Sequence, residues 1–193
     1  MKKAPIRNVK KELLSDNWYT LNKFTFDYEK EDGELERQER EVYNCGDAIA
    51  ILLYNEENKT VILTKQFRMP VHQNEKTTGM MIEVCAGLLD GDTPEVCAKK
   101  ETLEETGYHL EKVEKIYEAY MVPGTVMQKV HYFLAKYTPE MRVTLGGGAD
   151  YETENIEVLE LPFETAFNMI ETGEIIDGKT IMLLQHAKIN KLF

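Results

Sequence analysis

The sequence predicts an α+β fold, layered α/β/α around a mixed sheet and preceded by N-terminal antiparallel strands. Three observations lead there. Most of the chain alternates in polarity or forms short aliphatic runs, as strands do. One central segment carries helix start and stop signals, and helical patterns return only at the end. With 193 residues, 42% apolar and 30% charged, the chain is long enough to bury a core. No internal repeat, low-complexity tract or long linker interrupts this order.

Trp18 to Lys30 ("WYTLNKFTFDYEK") alternates, "DGE" at Asp32 to Glu34 is a hairpin turn signal, and Glu36 to Cys45 is the partner strand. Ala48 to Asn55 and Thr60 to Phe67 are aliphatic and β-branched, which predicts a buried hairpin across "EENK". Met80 to Leu89 ("MMIEVCAGLL") predicts one strand running into a glycine-containing loop. Thr93 to Thr106 is the clearest helix, with Thr93 at the N-cap, Pro94 at N1 and Gly107 at C′. Val96 and Leu103 stand opposite its acidic side. Strands follow at Val113 to Val122 and Lys129 to Thr138. A loop from Leu145 to Asn155 leads to a strand at Ile156 to Leu161, and helices close the chain near Phe163 to Glu171 and Lys179 to Asn190.

Composition excludes several classes. Net charge is −11 and the pI is near 4.9, with no basic cluster to serve nucleic acid. No apolar run reaches the ~18 residues of a membrane span, and "MKKAPIRNVKKELL" lacks the apolar stretch of a secretory leader. Cys45, Cys85 and Cys97 have no metal-ligand or CxxC spacing, so a reducing cytoplasm is the expected location. If the substrate is a phosphate anion, an acidic chain needs bound divalent cations to reverse the local sign.

"KKETLEETGYHL" (Lys99 to Leu110) holds the chemistry. Glu101, Glu104 and Glu105 lie at i, i+3 and i+4 of the helix, within an arc of about 100°. Like charges so placed repel by a few tenths of a kcal/mol. A solvated face, with Lys100 pairing to Glu104, is the bland explanation. Three features favour another. A loop with Gly87, Asp90, Gly91 and Asp92 lets backbone carbonyls approach the helix. The small residues Cys97 and Ala98 sit on the acidic side, where close packing needs them. A second acidic cluster, "DYETE" (Asp150 to Glu154), follows in a glycine-rich loop. Carboxylates plus a carbonyl form a hard-oxygen site suited to Mg²⁺ or Mn²⁺.

Ala86 to Tyr108 ("AGLLDGDTPEVCAKKETLEETGY") resembles the Nudix hydrolase signature, G-x5-E-x7-R-E-U-x-E-E-x-G-U, where U is aliphatic. Glu101 to Gly107 keeps its core. Lys100 stands for the Arg, Thr102 and Tyr108 for aliphatics, and Asp92 for the first Glu, while Gly87 lies one residue too near Asp92. These departures touch loop bracing and leave the carboxylates intact. Along nearly the whole chain the likeness is to the nucleoside-diphosphate-sugar and ADP-ribose branch, whose proline matches Pro123.

The resemblance implies a Nudix α/β/α sandwich over 45–193, preceded by a β extension over 1–44 that is swapped within a homodimer. It implies Mg²⁺-dependent hydrolysis of a nucleotide sugar, GDP-mannose giving GMP and mannose 1-phosphate, or alternatively ADP-ribose giving AMP and ribose 5-phosphate. Metal ligands would be the Ala86 carbonyl, Glu101, Glu105, Glu104 and Glu154. Glu152 would be the general base, unless Glu154 alone holds metal and the cation activates the water unaided. Arg68 would contact phosphate, or is a surface arginine at a strand end. Lys179 would contact substrate, or starts a solvated helix. Trp18 would stack on the base, or is core. Glu39, Arg40 and Glu41 would reach substrate across the dimer, or are charges on an edge strand. Gly87 and Gln128 would also touch substrate. Gln128 stands where relatives carry a glutamate; an amide cannot act as a base.

Glycines 146–148 predict a mobile lid, not a P-loop, because no GK[ST] follows. A non-catalytic sensor on this fold would have lost carboxylates that are present here. Isopentenyl-diphosphate isomerisation would need Cys85 as half of a Cys–Glu acid/base pair. The four histidines are expected to be structural or exposed.

Overall fold

The computed structural model describes residues 5–75, 77–148 and 155–193. These form two compact units. One comprises the residues up to Asp47 together with Tyr120–Lys129, and the other comprises Ala48–Ala119 with Val130–Phe193.

The first unit is a three-stranded antiparallel sheet in the order β1 (Ile6–Asp16), β2 (Thr20–Glu29), β3 (Leu35–Asn44). The β2–β3 turn closes where "DGE" predicts it: Gly33, at φ 84°, donates to the Lys30 carbonyl. Nothing in the sequence reading marks β1. Its register shifts between Arg7 and Lys10 and again between Leu13 and Ser15, and two bulges erase the alternation that betrays a strand. Tyr43 of β3 forms a parallel bridge to Val126, which draws the 120–129 segment into this unit. The unit exposes Ile6, Val9, Leu13, Leu14, Trp18, Leu35 and Tyr43.

The second unit is built on a seven-stranded mixed sheet. Its main path runs β10 (Glu157–Pro162), β5 (Thr60–Phe67), β4 (Ala48–Asn55), β9 (Lys129–Lys136), β8 (Glu114–Tyr120). β4 is buried along its whole length and runs parallel to β9, so its unbroken apolar run fits a strand covered on both faces. β4 and β5 pair only from Leu53 to Asn55, then fork. The fork is filled by what the sequence predicts as a single strand, Met80 to Leu89. The structure divides it into β6 (Met80–Glu83), paired with β5, and β7 (Cys85–Leu88), paired with β4. The break falls at Val84, whose N–H donates to the Thr180 hydroxyl at 2.8 Å.

Among the described residues four α-helices complete the unit: α1 (Met69–Glu75), α2 (Pro94–Thr106), α3 (Phe163–Glu171) and α4 (Gly178–Ile189). One core layer joins Ile49, Ile51, Leu53, Ile62, Cys85, Phe133 and Ala135 of the sheet to Cys97 and Ala98 of α2. On the opposite sheet face Tyr132 donates to the sulfur of Met182 in α4, which also buries Leu183, Leu184 and Ala187. No helix of the described residues is long and apolar enough to cross a membrane.

Candidate active site

α2 is delimited as its sequence predicts. The Thr93 hydroxyl accepts from Val96 N–H, Pro94 occupies the first turn, and Gly107, at φ 81°, donates to the Leu103 carbonyl. Its buried face is the one on which Cys97 and Ala98 are expected to pack. Val96 is 52% exposed, while Cys97, Ala98, Thr102, Glu105 and Thr106 are buried. The helix turns its small and acidic side inward. Thr102 takes an aliphatic position without leaving a polar group unsatisfied, because its hydroxyl donates to the Ala98 carbonyl at 2.7 Å.

Opposite this face lies β7. The Ala86 N–H donates to Oε2 of Glu105 at 3.2 Å, and Glu105 is 1% exposed. A Cβ on Gly87 would stand 2.1 Å from Cδ of Glu101, so only glycine leaves room for that carboxylate. Glu101 and Glu105 thus flank the Ala86–Gly87 backbone. Cys85 is drawn into the core with its sulfur beside Thr102; burial first, then the charges of Glu105 and Glu101, push its thiol well above the ordinary range. Burial and Glu101 likewise raise Cys97 to about 12, and its thiol donates to the Leu88 carbonyl. Both cysteines are packed core thiols, which removes the support for an isomerase acid/base pair.

These residues fit a hard divalent cation. Their donors are oxygens. The last turn of α2 contains Glu104 and Glu105 and no basic residue, so the carboxylates also oppose the negative end of the helix dipole. The Gly87 cradle keeps Glu101 against the backbone of the β7 loop. Among the described residues no three His, Cys, Asp or Glu side chains close around one point. Glu152 and Glu154, the expected base and last ligand, lie outside the described residues. Glu104 is partly buried, and its carbonyl accepts from Gly148 N–H at 3.1 Å.

The glycine run is tied to the end of α2. Gly147 N–H donates to the Glu105 carbonyl at 2.9 Å, and the Gly147 carbonyl accepts from Ile156 N–H at 3.1 Å. With Gly148 these bonds satisfy carbonyls that a helix end leaves open. The glycines form a clamp on α2.

A charged network brings Arg68 and Lys179 together and adds two residues that the sequence analysis does not single out. Arg68 Nε donates to Glu83 Oε2 at 2.7 Å; Lys179 Nζ lies 3.3 Å from Glu83 Oε1 and 2.6 Å from Asp177 Oδ1. Glu83 is 3% exposed. Asp177 caps α4, its Oδ2 accepting from the N–H and hydroxyl of Thr180. Burial alone would lift Asp177, but Lys179 and Thr180 outweigh it and hold the carboxyl below its usual range. Burial would lower Lys179, but Asp177 and Glu83 outweigh that and raise it. The signal for Glu83 is a lone acid within an apolar strand.

The remaining expected residues lie in the N-terminal unit. Trp18 is 83% exposed, which rules out a core position within this chain. Glu39 pairs with Lys23 at 2.9 Å, Arg40 donates to the Glu39 carbonyl, and Glu41 is exposed. Gln128 is half-buried. His131 Nδ1 lies 3.1 Å from Glu118, and His186 packs on Tyr117, both in structural surroundings.

Comparison with known proteins adds to this geometry. The model of the NUDIX domain matches residues 46–184, and that of the GDP-mannose pyrophosphatase NudK N-terminal domain matches 5–43. A GDP-mannose pyrophosphatase of Pectobacterium atrosepticum is 52% identical over 190 residues, covering 98% of this chain and 97% of its own. One from Escherichia coli O1:K1 is 50% identical, covering 95% of each chain. One from Yersinia pestis (strain Pestoides F) is 51% identical, covering 96% of this chain and 92% of its own.

Proposed function

The chain belongs to the Nudix family, and we propose that it is a pyrophosphohydrolase that cleaves GDP-mannose into GMP and mannose 1-phosphate. The observation that carries this reading is the pair of acids, Glu101 and Glu105, held against the Ala86–Gly87 backbone. The choice of GDP-mannose over ADP-ribose rests on the activity named for the relatives from three genera.

Mg²⁺, with Mn²⁺ able to replace it, would be held by the Ala86 carbonyl, Glu101, Glu105, Glu104 and Glu154. Bound there, it would neutralise diphosphate charge and acidify a water. The chain's own residues do the rest. Arg68 and Lys179 bind phosphate oxygens as cations in an acidic protein. Glu152 takes the proton of the attacking water. Gln128 hydrogen-bonds to substrate and does not act as a base. Trp18, Glu39, Arg40 and Glu41 act from the N-terminal sheet of a second copy, on the model of a homodimer. The exposed apolar side chains of that sheet support this reading. The three free cysteines suit a cytoplasmic location.

The test is phosphorus NMR of the reaction in ¹⁸O water, with kcat/KM for GDP-mannose and ADP-ribose in parallel. The expected result is GMP and mannose 1-phosphate, one of them carrying a single ¹⁸O, with GDP-mannose preferred. Release of GDP and free mannose, which requires glycosidic cleavage, would overturn it. A readout independent of turnover is thermal stability. At 100-fold excess over its Kd, Mg²⁺ is expected to add about 2.7 kcal/mol to the wild type and nothing to Glu105→Gln.

A further inference from the structure

We infer that Glu83 is a positioning residue that presents Arg68 and Lys179 to the substrate's phosphates, with Asp177 as its counterpart on the lysine side. This rests on the reading of Arg68 and Lys179 as substrate cations. Three aspects of the geometry carry it.

First, Glu83 is almost fully buried, yet both of its oxygens face cations from distant parts of the chain: Arg68 just beyond the end of β5 and Lys179 in the first turn of α4. Burying a carboxylate is costly without such partners. A strand position filled by an acid where its neighbours are apolar is therefore explained by the pair it holds. Second, the bonds are selective in which donors they use. Glu83 takes the Nε–H of Arg68, which leaves the Nη edge as the part of the half-exposed guanidinium that can meet an anion. Lys179 has three N–H donors, and Glu83 and Asp177 receive two. Third, the network continues into the backbone that the acids face. Asp177 orients Thr180, and the Thr180 hydroxyl accepts the N–H of Val84, two residues before Ala86. The two cations and the β7 loop are thereby referenced to a single frame at the N-terminus of α4.

A positioned cation contributes to affinity without the ordering cost of a floppy one. Glu83→Gln keeps the shape but turns an amide N–H₂ toward one cation. The expected result is a rise in KM for GDP-mannose of about tenfold with kcat changed less than about threefold. The effect should shrink in an Arg68→Ala or Lys179→Ala background, because a residue acting through another loses its effect when the other is gone. Asp177→Asn is the second variant, chosen because asparagine caps a helix as well as aspartate does. It should raise KM severalfold, couple to Lys179→Ala and add in full to Arg68→Ala. A KM that falls in Glu83→Gln, or effects that are fully additive in every background, would overturn the positioning role. If Arg68→Ala and Lys179→Ala themselves leave KM unchanged, the cations are not substrate ligands and the proposal falls with that reading. If both raise KM while Glu83→Gln and Asp177→Asn do not, only the positioning role fails. Melting curves of every variant identify any loss of fold, and Asp177→Asn decides should Glu83→Gln not fold.

Discussion

At the scale of single residues, the site depends on where there is no side chain. Gly87→Ala places a methyl 2.1 Å from the Glu101 carboxyl carbon. The strain should cost about 1–3 kcal/mol and displace Glu101, so we expect kcat/KM to fall by about 100-fold or more while circular dichroism stays native. Steady-state kinetics and a melting curve on the same sample check this. Glu105→Gln should lose most of kcat and fold normally, since glutamine keeps the size of a side chain that is 1% exposed while removing a carboxylate ligand. Activity retained in that variant at saturating Mg²⁺ would remove its role as a ligand. Glu101 and Glu105 are legible in the sequence because helical spacing brings local neighbours together, and Gly87 because it stands in a glycine-containing loop just before that helix. Glu83 is not. Its partner Lys179 is 96 positions away, and no local pattern encodes a pair that only the fold creates.

At the scale of elements, α2 separates two kinds of information. Its ends are legible, because caps are made by residues within one turn of each other. Its buried side is legible only in part: Cys97 and Ala98 pack inward as expected, while the burial of Thr102, Glu105 and Thr106 depends on what the rest of the fold places against the helix. Two substitutions distinguish these faces. Val96→Ser should change stability by no more than about 0.5 kcal/mol, and Ala98→Leu, in a fully buried position, should cost about 1–3 kcal/mol. Urea unfolding of both resolves the difference. Gly107→Ala combines a left-handed φ with a Cβ 2.2 Å from the Thr144 carbonyl. The conformation alone costs about 1–2 kcal/mol, so a larger total is expected, again read by urea. The division of Met80 to Leu89 between two partner strands is invisible locally, since the apolar run continues through Val84 and only the fork between β4 and β5 breaks it.

At the scale of the whole molecule, layer order and mixed sheet are legible because strand and helix periods differ, whereas β1 is lost to its bulges, and the unbroken apolar run of β4 shows that it is covered on both faces without naming β9 as its parallel partner. The charge network gives the molecule a pH signature. Asp177 is held below its ordinary value of 3.8, so its contribution is present above that pH and is lost as pH falls through the lowered value. Lys179 is raised above 10.5, so its contribution is present below 10.5 and is lost as pH climbs through the raised value. The difference in Tm between wild type and Asp177→Asn should therefore be constant at neutral pH and close below about pH 3.8; a difference that widens with acid would contradict the assignment. The knot at Gly147 has a consequence of its own. One glycine is tied both to the end of α2 and to Ile156, so the chain leaves and re-enters this post at nearly the same place. The segment between them is short, residues 148–155. Doubling its length would cost only about 0.6 kcal/mol in closure and would leave Glu101 and Glu105 where they are. An insertion there would therefore spare the fold, and any loss of turnover would report on Glu152 and Glu154 in that segment rather than on Glu101 and Glu105.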